Sequence, residues 1–519
     1  MPDQQAIAPK NGDLSTVSAR IAQACAALVA LAVLTVIPYR IAEAGYLNHV
    51  SGSWGALADD FAHGVLYRPL LSDLGYGGTR NFPLQFVLQG TLAALGLPLR
   101  AAGYLISLAS ALTIVAGGAT AFRRRGASRW VAWSLGLVAI ASRTAFMGAA
   151  GIRGDLLPVA LGVLGLVLVP STDDEAPVAA SIFLGLSVIA KPTLFWAPGG
   201  AFIALVVARR WRSVVLLSLM VAAVTVTGLV GSQLASHGSM LASFRACASG
   251  GGFSISTLLG AMSYFRPGDL AWAFGGLGLT LARGRKGLSD PLGAAGFVCL
   301  PVTLFIFTSR GAHVNHLVDI TTIGALAVGA ALVEASVGKI TNYVLVVATL
   351  LGTSEAVLLG NVYTKYGELE RAAAALPAGS DPVLSEQPWI PLLAGERAFA
   401  LDAYNLLQLR HSMPAVDRDF LGRMDHCGFR AVVLMGKPDQ APEWYDQVQF
   451  GSGFRERLQA NYVFEGIVGA HAFYLPHCAS SPTPKLQLPP DAGSAETVLD
   501  RMRAPGLLHA LAGVLHHGH

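Results

Sequence analysis

The chain has 519 residues, of which 53% are hydrophobic and only 13% are charged, and its mean hydropathy is +0.52. A water-soluble protein of this size could not cover so large an apolar fraction with a polar surface, so the composition excludes that class and indicates an integral membrane protein. The net charge of +4 is small, and the basic residues lie in short clusters between apolar runs. This distribution argues against nucleic acid as a partner. It indicates instead that the basic residues mark the cytoplasmic loops of a membrane protein.

The first apolar run, Ile21–Ala42, is too long for the hydrophobic region of a signal peptide, and it lacks a small-residue cleavage site before the charged stretch that follows. We therefore expect an uncleaved first span over residues 20–42, preceded by a cytoplasmic tail over residues 1–19.

The apolar segments predict an α-helical polytopic membrane protein with about 11 transmembrane helices, because a crossing needs about 20 apolar residues and fewer beside a cavity. The predicted spans are 20–42, 101–121, 130–148, 155–170, 178–191, 193–208, 213–235, 269–283, 290–308, 316–336 and 340–360. An odd number of spans places the N and C termini on opposite sides of the membrane. With the N terminus inside, the basic clusters at 123–129, 209–212, 283–286 and 339 all fall in inside loops. The acidic loop at 171–177 is the exception.

Residues 81–98, NFPLQFVLQGTLAALGLP, are apolar enough for a short span. A full crossing here would move the basic cluster at 123–129 outside, so we expect a re-entrant or interfacial helix instead.

The first extracytoplasmic loop, residues 43–81, contains the stretch WGALADDFAHGVLYRP. Its apolar residues are spaced as in an amphipathic helix that lies along the membrane surface. These residues are Trp54, Leu57, Phe61, Val65 and Leu66.

Residues 361–478 differ from the preceding 20–360, because a polar helix is followed by short β-type runs such as FRAVVLMG and HAFYLP. They predict a small C-terminal extracytoplasmic α/β domain, and residues 479–519 predict a Pro/Ser-rich linker and tail. The five cysteines form no CxxC pair, which excludes zinc-ribbon and thioredoxin-type sites. Cys427 and Cys478 share the polar segment and either form a disulfide or stay reduced.

Several ionisable and polar side chains fall at the outside ends of the predicted spans. They are Asp59, Asp60 and His63 in the first loop, Arg153 and Asp155 before the fourth span, Lys191 after the fifth, and Arg310, His313, Asn315, His316 and Asp319 before the tenth. Charged groups at an apolar boundary cost several kcal/mol unless they pair or line a wet cavity. Their common sidedness predicts one polar cavity that opens outward.

Each of these residues also has a purely structural interpretation. Asp59 or Asp60 could cap a helix or face solvent, Arg153 could simply pair with Asp155, and Lys191 could be a lysine that reaches the interface. His313, His316 and Asp319 have the i, i+3, i+6 spacing of metal ligands, but no HExxH-type context supports them, so no metal ligand is assigned.

The motifs together resemble the bacterial GT-C superfamily of polyprenyl-phosphate-dependent glycosyltransferases, which includes aminoarabinose and mannosyl transferases. The resemblance covers roughly residues 15–340, and the trailing α/β domain is similar to tails in that superfamily. It rests on the acidic pair with G-x-L-Y-R-P, on NFPLQF, on R-x-D-L-L, on K-P-T, and on G-A-x-x-N-H-L-x-D. Many members carry Asp-Glu where this chain has Asp59-Asp60, so the identity of the catalytic carboxylate is left open.

The resemblance implies a GT-C-like catalytic domain over residues 20–360 that transfers a sugar from a polyprenyl-phosphate donor. The acceptor would be a cell-envelope glycan, lipid or protein at the outer face of the bacterial inner membrane. Such transfer needs a base for the acceptor proton and cations for the departing phosphate. Asp59 or Asp60, with Asp155 as the alternative, would be the base, and His63 would orient it. The remaining polar residues of the rim would bind substrate, and a divalent cation is left open as a cofactor.

Three other functions are considered. A transporter or flippase would show charges at mid-membrane and matched halves, which this sequence does not have. A non-catalytic scaffold would use only the C-terminal domain. An O-antigen ligase or polymerase also uses lipid-linked sugars and is close in class.

Overall fold

The computed structural model describes residues 47–248, 252–309, 312, 314–335 and 366–478, together with Arg20, Ala24, Leu28 and Thr497. Apart from those isolated positions, the predictions for the N-terminal tail, the first and eleventh spans and the C-terminal linker lie outside the described residues.

From residue 47 onward, the described structure starts with helix α1 (His49–Ala62), a two-stranded antiparallel hairpin, β1 (Leu71–Ser72) and β2 (Gly75–Tyr76), and a short helix α2 (Pro83–Ala94). A helical bundle follows. Its members are α3 (Leu99–Arg124), α4 (Arg129–Val138), α5 (Arg143–Ala150), α6 (Leu156–Val167), α7 (Val178–Ala190), α8 (Trp196–Val207), α9 (Trp211–Ala235), α10 (Ser239–Ala248), α11 (Ile255–Ala261), α12 (Pro267–Ala282), α13 (Gly284–Leu288), α14 (Pro291–Ile306) and α15 (Leu317–Glu334).

Among the described residues, three helices are long and apolar enough to cross a membrane: Leu99–Arg124, Trp211–Ala235 and Val314–Glu334, the last including the 3-10 turn before α15. Four further apolar helices have only 10–17 residues, a length that suits helices lining a cavity better than helices facing lipid. The nine predicted spans that fall within the described residues each coincide with a helix or helix pair. The total of eleven stays a prediction.

The predicted span 130–148 is not one continuous helix, because α4 and α5 meet at a bend of 86°. The side chain of Ser142 accepts a hydrogen bond from the Ala145 amide and so starts a new helix. The hydropathy is continuous across this break, which is why the sequence alone suggested one helix.

The basic loops assigned to the inside gather at one end of the bundle. The Arg125 guanidinium lies 2.5 Å from Asp290, and Arg283 lies 2.5 Å from Glu334. In the acidic loop 171–177, the Asp173 carboxylate accepts hydrogen bonds from the amide and hydroxyl of Ser213, in the first turn of α9. The exceptional acidic loop therefore has a local capping role.

Residues 366–478 form a mixed four-stranded sheet with helices packed against it. The elements are α16 (Tyr366–Ala374), β3 (Val383–Ser385), α17 (Trp389–Leu393), α18 (Ala403–Ser412), α19 (Pro414–Asp425), β4 (Ala431–Leu434), α20 (Phe454–Asn461), β5 (Tyr462–Val468) and β6 (His471–Pro476), with a π-helical turn over Trp444–Val448. The strand order is β3-β4-β6-β5, and only the β3–β4 pair is parallel. Cys427 and Cys478 form a disulfide, so the oxidised alternative is the one that the structure adopts.

Helix α1 does form, but it ends at Ala62, and most of its residues are buried within the protein. Its residues are buried on several sides, against Phe86 of α2 and against Trp389 of α17. A helix that is apolar on more than one face suits a protein interior. The first loop and residues 366–478 therefore share one hydrophobic core.

Candidate functional site

Lys191 ends helix α7, and the local sequence explains its position. Pro192 disfavours helical backbone at the residue before it, and Lys191 is extended, with φ −160° and ψ 115°. A 3-10 turn, Pro192–Phe195, then leads into α8. The side chain is therefore placed inside the bundle at the end where the chain reverses.

The Lys191 ammonium lies between two buried carboxylates. Its Nζ atom is 3.2 Å from Asp155 and 3.4 Å from Asp319. Asp155 precedes α6, whereas Asp319 lies in the first turn of α15, where the helix dipole favours a negative charge. The Trp196 indole N–H also donates to Asp319, at 3.4 Å. Three segments far apart in sequence thus meet at one charge cluster.

Arg153 and Asn315 extend this cluster. The Asn315 amide donates to Asp155 at 3.0 Å, and the Arg153 guanidinium lies 3.7 Å from the same carboxylate. His316 interacts electrostatically with Asp155. Arg153 is 7% exposed, and its Nε atom has no hydrogen-bond partner among the residues that the structure describes. A buried guanidinium with an unused donor is suited to an anionic ligand.

Gly154 links the cluster to helix α1. A β-carbon at this position would approach a ring atom of Trp54 to 2.1 Å, so only glycine permits this packing. The preceding loop is held by a hydrogen bond from the Ser107 hydroxyl to the Gly151 carbonyl. Trp54 therefore fixes the position of α1 against the Arg153–Asp155 segment.

The cluster does not have the composition of a metal site. The Lys191 ammonium already occupies the position between the two carboxylates that a divalent cation would take. Within the described part of the chain, no three His, Cys, Asp or Glu side chains are arranged to hold a metal. Arg310 and His313 lie outside the described residues.

Asp60 lies in a buried ion pair away from this cluster. Both of its carboxylate oxygens accept from Arg68, at 2.5 and 2.9 Å, and the two side chains are at most 1% exposed. Arg68 also donates to the carbonyls of Leu74 and Ala398. This geometry joins the first loop to the C-terminal segment.

Asp59 and His63, the residue that caps the C-terminal end of α1, are more exposed than Asp60. The two side chains are 3.5 Å apart, and the His63 ring also contacts the Asp59 carbonyl. Partial burial raises the pKa of Asp59 above its usual value, although the nearby His63 opposes that rise. Among the described contacts, none joins Asp59, Asp60 or His63 to Lys191, so these residues form a separate group.

Sequence reasoning missed His49, at the start of α1. The imidazole interacts electrostatically with Arg153 and with Asp402, and its ring stands at 80° to that of Trp444, with centroids 6.3 Å apart. The Asn48-x-x-Ser51 capping box places the helix start next to His49, but no local signal in the sequence marks the imidazole itself.

The buried carboxylate of Glu386 fixes the orientation of the Trp444 ring through a hydrogen bond. Glu386 accepts hydrogen bonds from the Trp444 indole N–H at 2.7 Å, from the Met435 amide at 2.8 Å and from the Tyr445 hydroxyl at 3.1 Å. Burial raises the pKa of Glu386 to about 7, although these hydrogen bonds oppose the rise.

We expect the stability of the C-terminal segment to depend on pH through Glu386. Because the pKa is raised in the folded state, this stabilisation is complete below the unfolded pKa of about 4.5 and is lost as the pH rises to about 7. The change corresponds to about 3 kcal/mol. Thermal unfolding followed by tryptophan fluorescence between pH 4.5 and 8 measures it. Glu386→Gln should flatten the profile, and an unchanged slope in that variant would contradict this assignment.

Comparisons with known structures identify the fold. The chain superposes on ArnT from Cupriavidus metallidurans bound to undecaprenyl phosphate with a TM-score of 0.59 and 13% identity, over 88% of this chain and 98% of that one. For the apo state of the same protein the TM-score is 0.56 at 13% identity, over 86% and 96%. No family model and no curated protein sequence matches. The chain thus has the GT-C fold that its motifs predicted.

Proposed function

We propose that this protein transfers a sugar from a polyprenyl-phosphate donor to an acceptor at the extracytoplasmic face of the bacterial inner membrane. The observation that carries the proposal is the buried cluster of Lys191, Arg153, Asp155 and Asp319 at one end of a GT-C fold. The structural neighbour with bound undecaprenyl phosphate supports the class of donor.

The two cations of the cluster suit the departing phosphate. Lys191 supplies a point charge, and Arg153 supplies a planar donor set whose Nε atom lies 3.7 Å from Asp155 and makes no hydrogen bond among the described residues. Two carboxylates balance these cations in the absence of substrate. A donor phosphate would replace Asp155 as their partner and leave that carboxylate free to accept a proton.

Asp155 is therefore the base that we favour among the three predicted carboxylates. Asp60 is buried in a bidentate ion pair with Arg68 and is at most 1% exposed, so an acceptor hydroxyl group has no access to it. Asp59 has no described contact with the cations that would hold the donor. The gathering of the charges at one end of the bundle also favours a transferase over a flippase, whose binding site lies near the midplane.

The test compares Asp155→Asn with Asp59→Asn in the purified protein, using a panel of polyprenyl-phosphate-linked sugars and measuring release of polyprenyl phosphate. Loss of a general base costs about 10²–10⁴-fold in rate. We expect that loss for Asp155→Asn and less than a threefold change for Asp59→Asn.

Asp73→Asn, in the exposed β1–β2 turn, is the matched control for replacing a loop carboxylate by an amide. The opposite ranking of the Asp59 and Asp155 variants would move the base to Asp59. A wild-type protein that releases no polyprenyl phosphate from any donor would contradict the proposed function itself.

A further inference from the structure

A second group of side chains lies beside the charge cluster, where α1 meets the C-terminal segment. His49 interacts electrostatically with Arg153 on one side and with Asp402 on the other. Asp402 caps α18, which packs against α10, and the Trp444 ring forms a T-shaped contact with the His49 ring. Side chains from four distant parts of the chain thus interact through His49.

Trp444 offers an aromatic surface in a fixed orientation. The side chain is partly exposed, and its indole N–H is bound to Glu386, so the ring cannot turn without breaking that hydrogen bond. Holding a ring in place before binding reduces the entropic cost of packing a ligand against it. An aromatic wall with a few polar groups is a common composition for small-molecule sites.

The two polar side chains of this group, His49 and Asp402, can accept hydrogen bonds. One Asp402 oxygen accepts from the Asn405 amide, which leaves the second oxygen without a described hydrogen bond. Burial and the Arg153 charge lower the pKa of His49, although Asp402 opposes this. The imidazole is therefore neutral at pH 7 and has one ring nitrogen able to accept a hydrogen bond.

We propose that Trp444, His49 and Asp402 form the binding site for a carbohydrate acceptor, with a sugar ring against Trp444 and its hydroxyl groups donating to His49 and Asp402. This inference rests on the proposed function and assigns its acceptor class. A sugar presents an apolar ring face and several hydroxyl donors, which matches one aromatic wall and two acceptors. Arg153 interacts with the charge cluster through Asp155 and with the proposed acceptor site through His49. The acceptor and the donor phosphate would therefore lie on either side of Arg153.

The first experiment measures binding without turnover. The probes are neutral mono- and oligosaccharides in solution, the same sugars as glycolipid headgroups in nanodiscs, and a serine-rich peptide, each followed by tryptophan fluorescence and calorimetry. We expect sugar binding that weakens at least tenfold in Asp402→Asn and in His49→Gln. Asn is also a good N-cap, so the first variant keeps α18 intact. His411→Gln, an exposed position on α18, is the control.

Binding of soluble sugars would identify a free glycan as the source, whereas binding only in nanodiscs would identify a glycolipid. Binding of the peptide alone, or equal sugar binding in wild type and both variants, would overturn the proposal.

The second experiment separates this inference from the proposed function. With a transferring wild type, we expect both variants to raise the acceptor KM at least tenfold and to leave the donor KM within twofold. Unchanged acceptor KM values in an active enzyme would refute the acceptor site alone. Absence of transfer in the wild type would count against the proposed function, and the binding result would still decide the carbohydrate site.

Discussion

Replacement of Lys191 by methionine is expected to lower sugar transfer by about 10³-fold or more, because the ammonium both holds Asp155 and Asp319 and stabilises charge on the departing phosphate. Methionine keeps much of the side-chain volume and removes only the charge. The measurement is the rate of polyprenyl phosphate release at saturating donor, with the donor KM determined alongside it.

A loss of folding must be distinguished from a loss of chemistry in this experiment. Lys191→Met leaves two buried carboxylates without their shared cation, which by itself is expected to destabilise the protein by about 3–5 kcal/mol. The double variant Lys191→Met/Asp319→Asn removes one negative charge as well and should recover much of that stability.

The double variant should remain inactive although it is folded. Lys286→Met, at the opposite end of the bundle and 73% exposed, is the matched control and should transfer normally. A double variant that transfers within threefold of the wild type would remove Lys191 from the donor site.

The second large effect concerns stability and centres on Arg68. We expect Arg68→Met to reduce the free energy of unfolding by about 3–5 kcal/mol, because it leaves the Asp60 carboxylate buried without a partner. It also removes the donors that satisfy the carbonyls of Leu74 and Ala398. Thermal unfolding in nanodiscs, followed by tryptophan fluorescence, measures the change.

Arg423→Met is the control for this prediction, since the ion pair of Arg423 with Asp419, at 3.0 Å, is only partly buried, with side-chain exposures of 35% and 30%. Exposed pairs contribute about 1 kcal/mol or less. The double variant Asp60→Leu/Arg68→Met should regain part of the loss. Equal losses of unfolding free energy in Arg68→Met and Arg423→Met would show that the buried ion pair stabilises the protein no more than the partly buried one.

The helices and their order could be predicted because apolar runs and basic loops are local properties of the sequence. Lys191 was found in this way, since a lysine followed by proline between two apolar runs is conspicuous. The common location of Asp155, Lys191 and Asp319 followed from topology alone, and the structure places the three in direct contact.

The partners of individual side chains could not be predicted in the same way. Nothing local distinguishes Asp59 from Asp60, because what separates them is Arg68 and the distant carbonyl of Ala398. His49 was missed for the same reason, since its significance depends on Asp402 and Trp444. Such contacts join segments that are far apart in the chain, and no periodic pattern in the sequence indicates which segments will meet.

The hydrogen bond from Arg68 to Ala398 closes a separation of 330 residues. Chains are synthesised at about 5–20 residues per second, so the first loop emerges roughly 20–70 s before the residue that completes its core. During that interval the partly assembled protein exposes unpaired charge and apolar surface. Biogenesis of this protein should therefore depend on factors that protect the nascent loop, and its yield should be sensitive to the speed of translation.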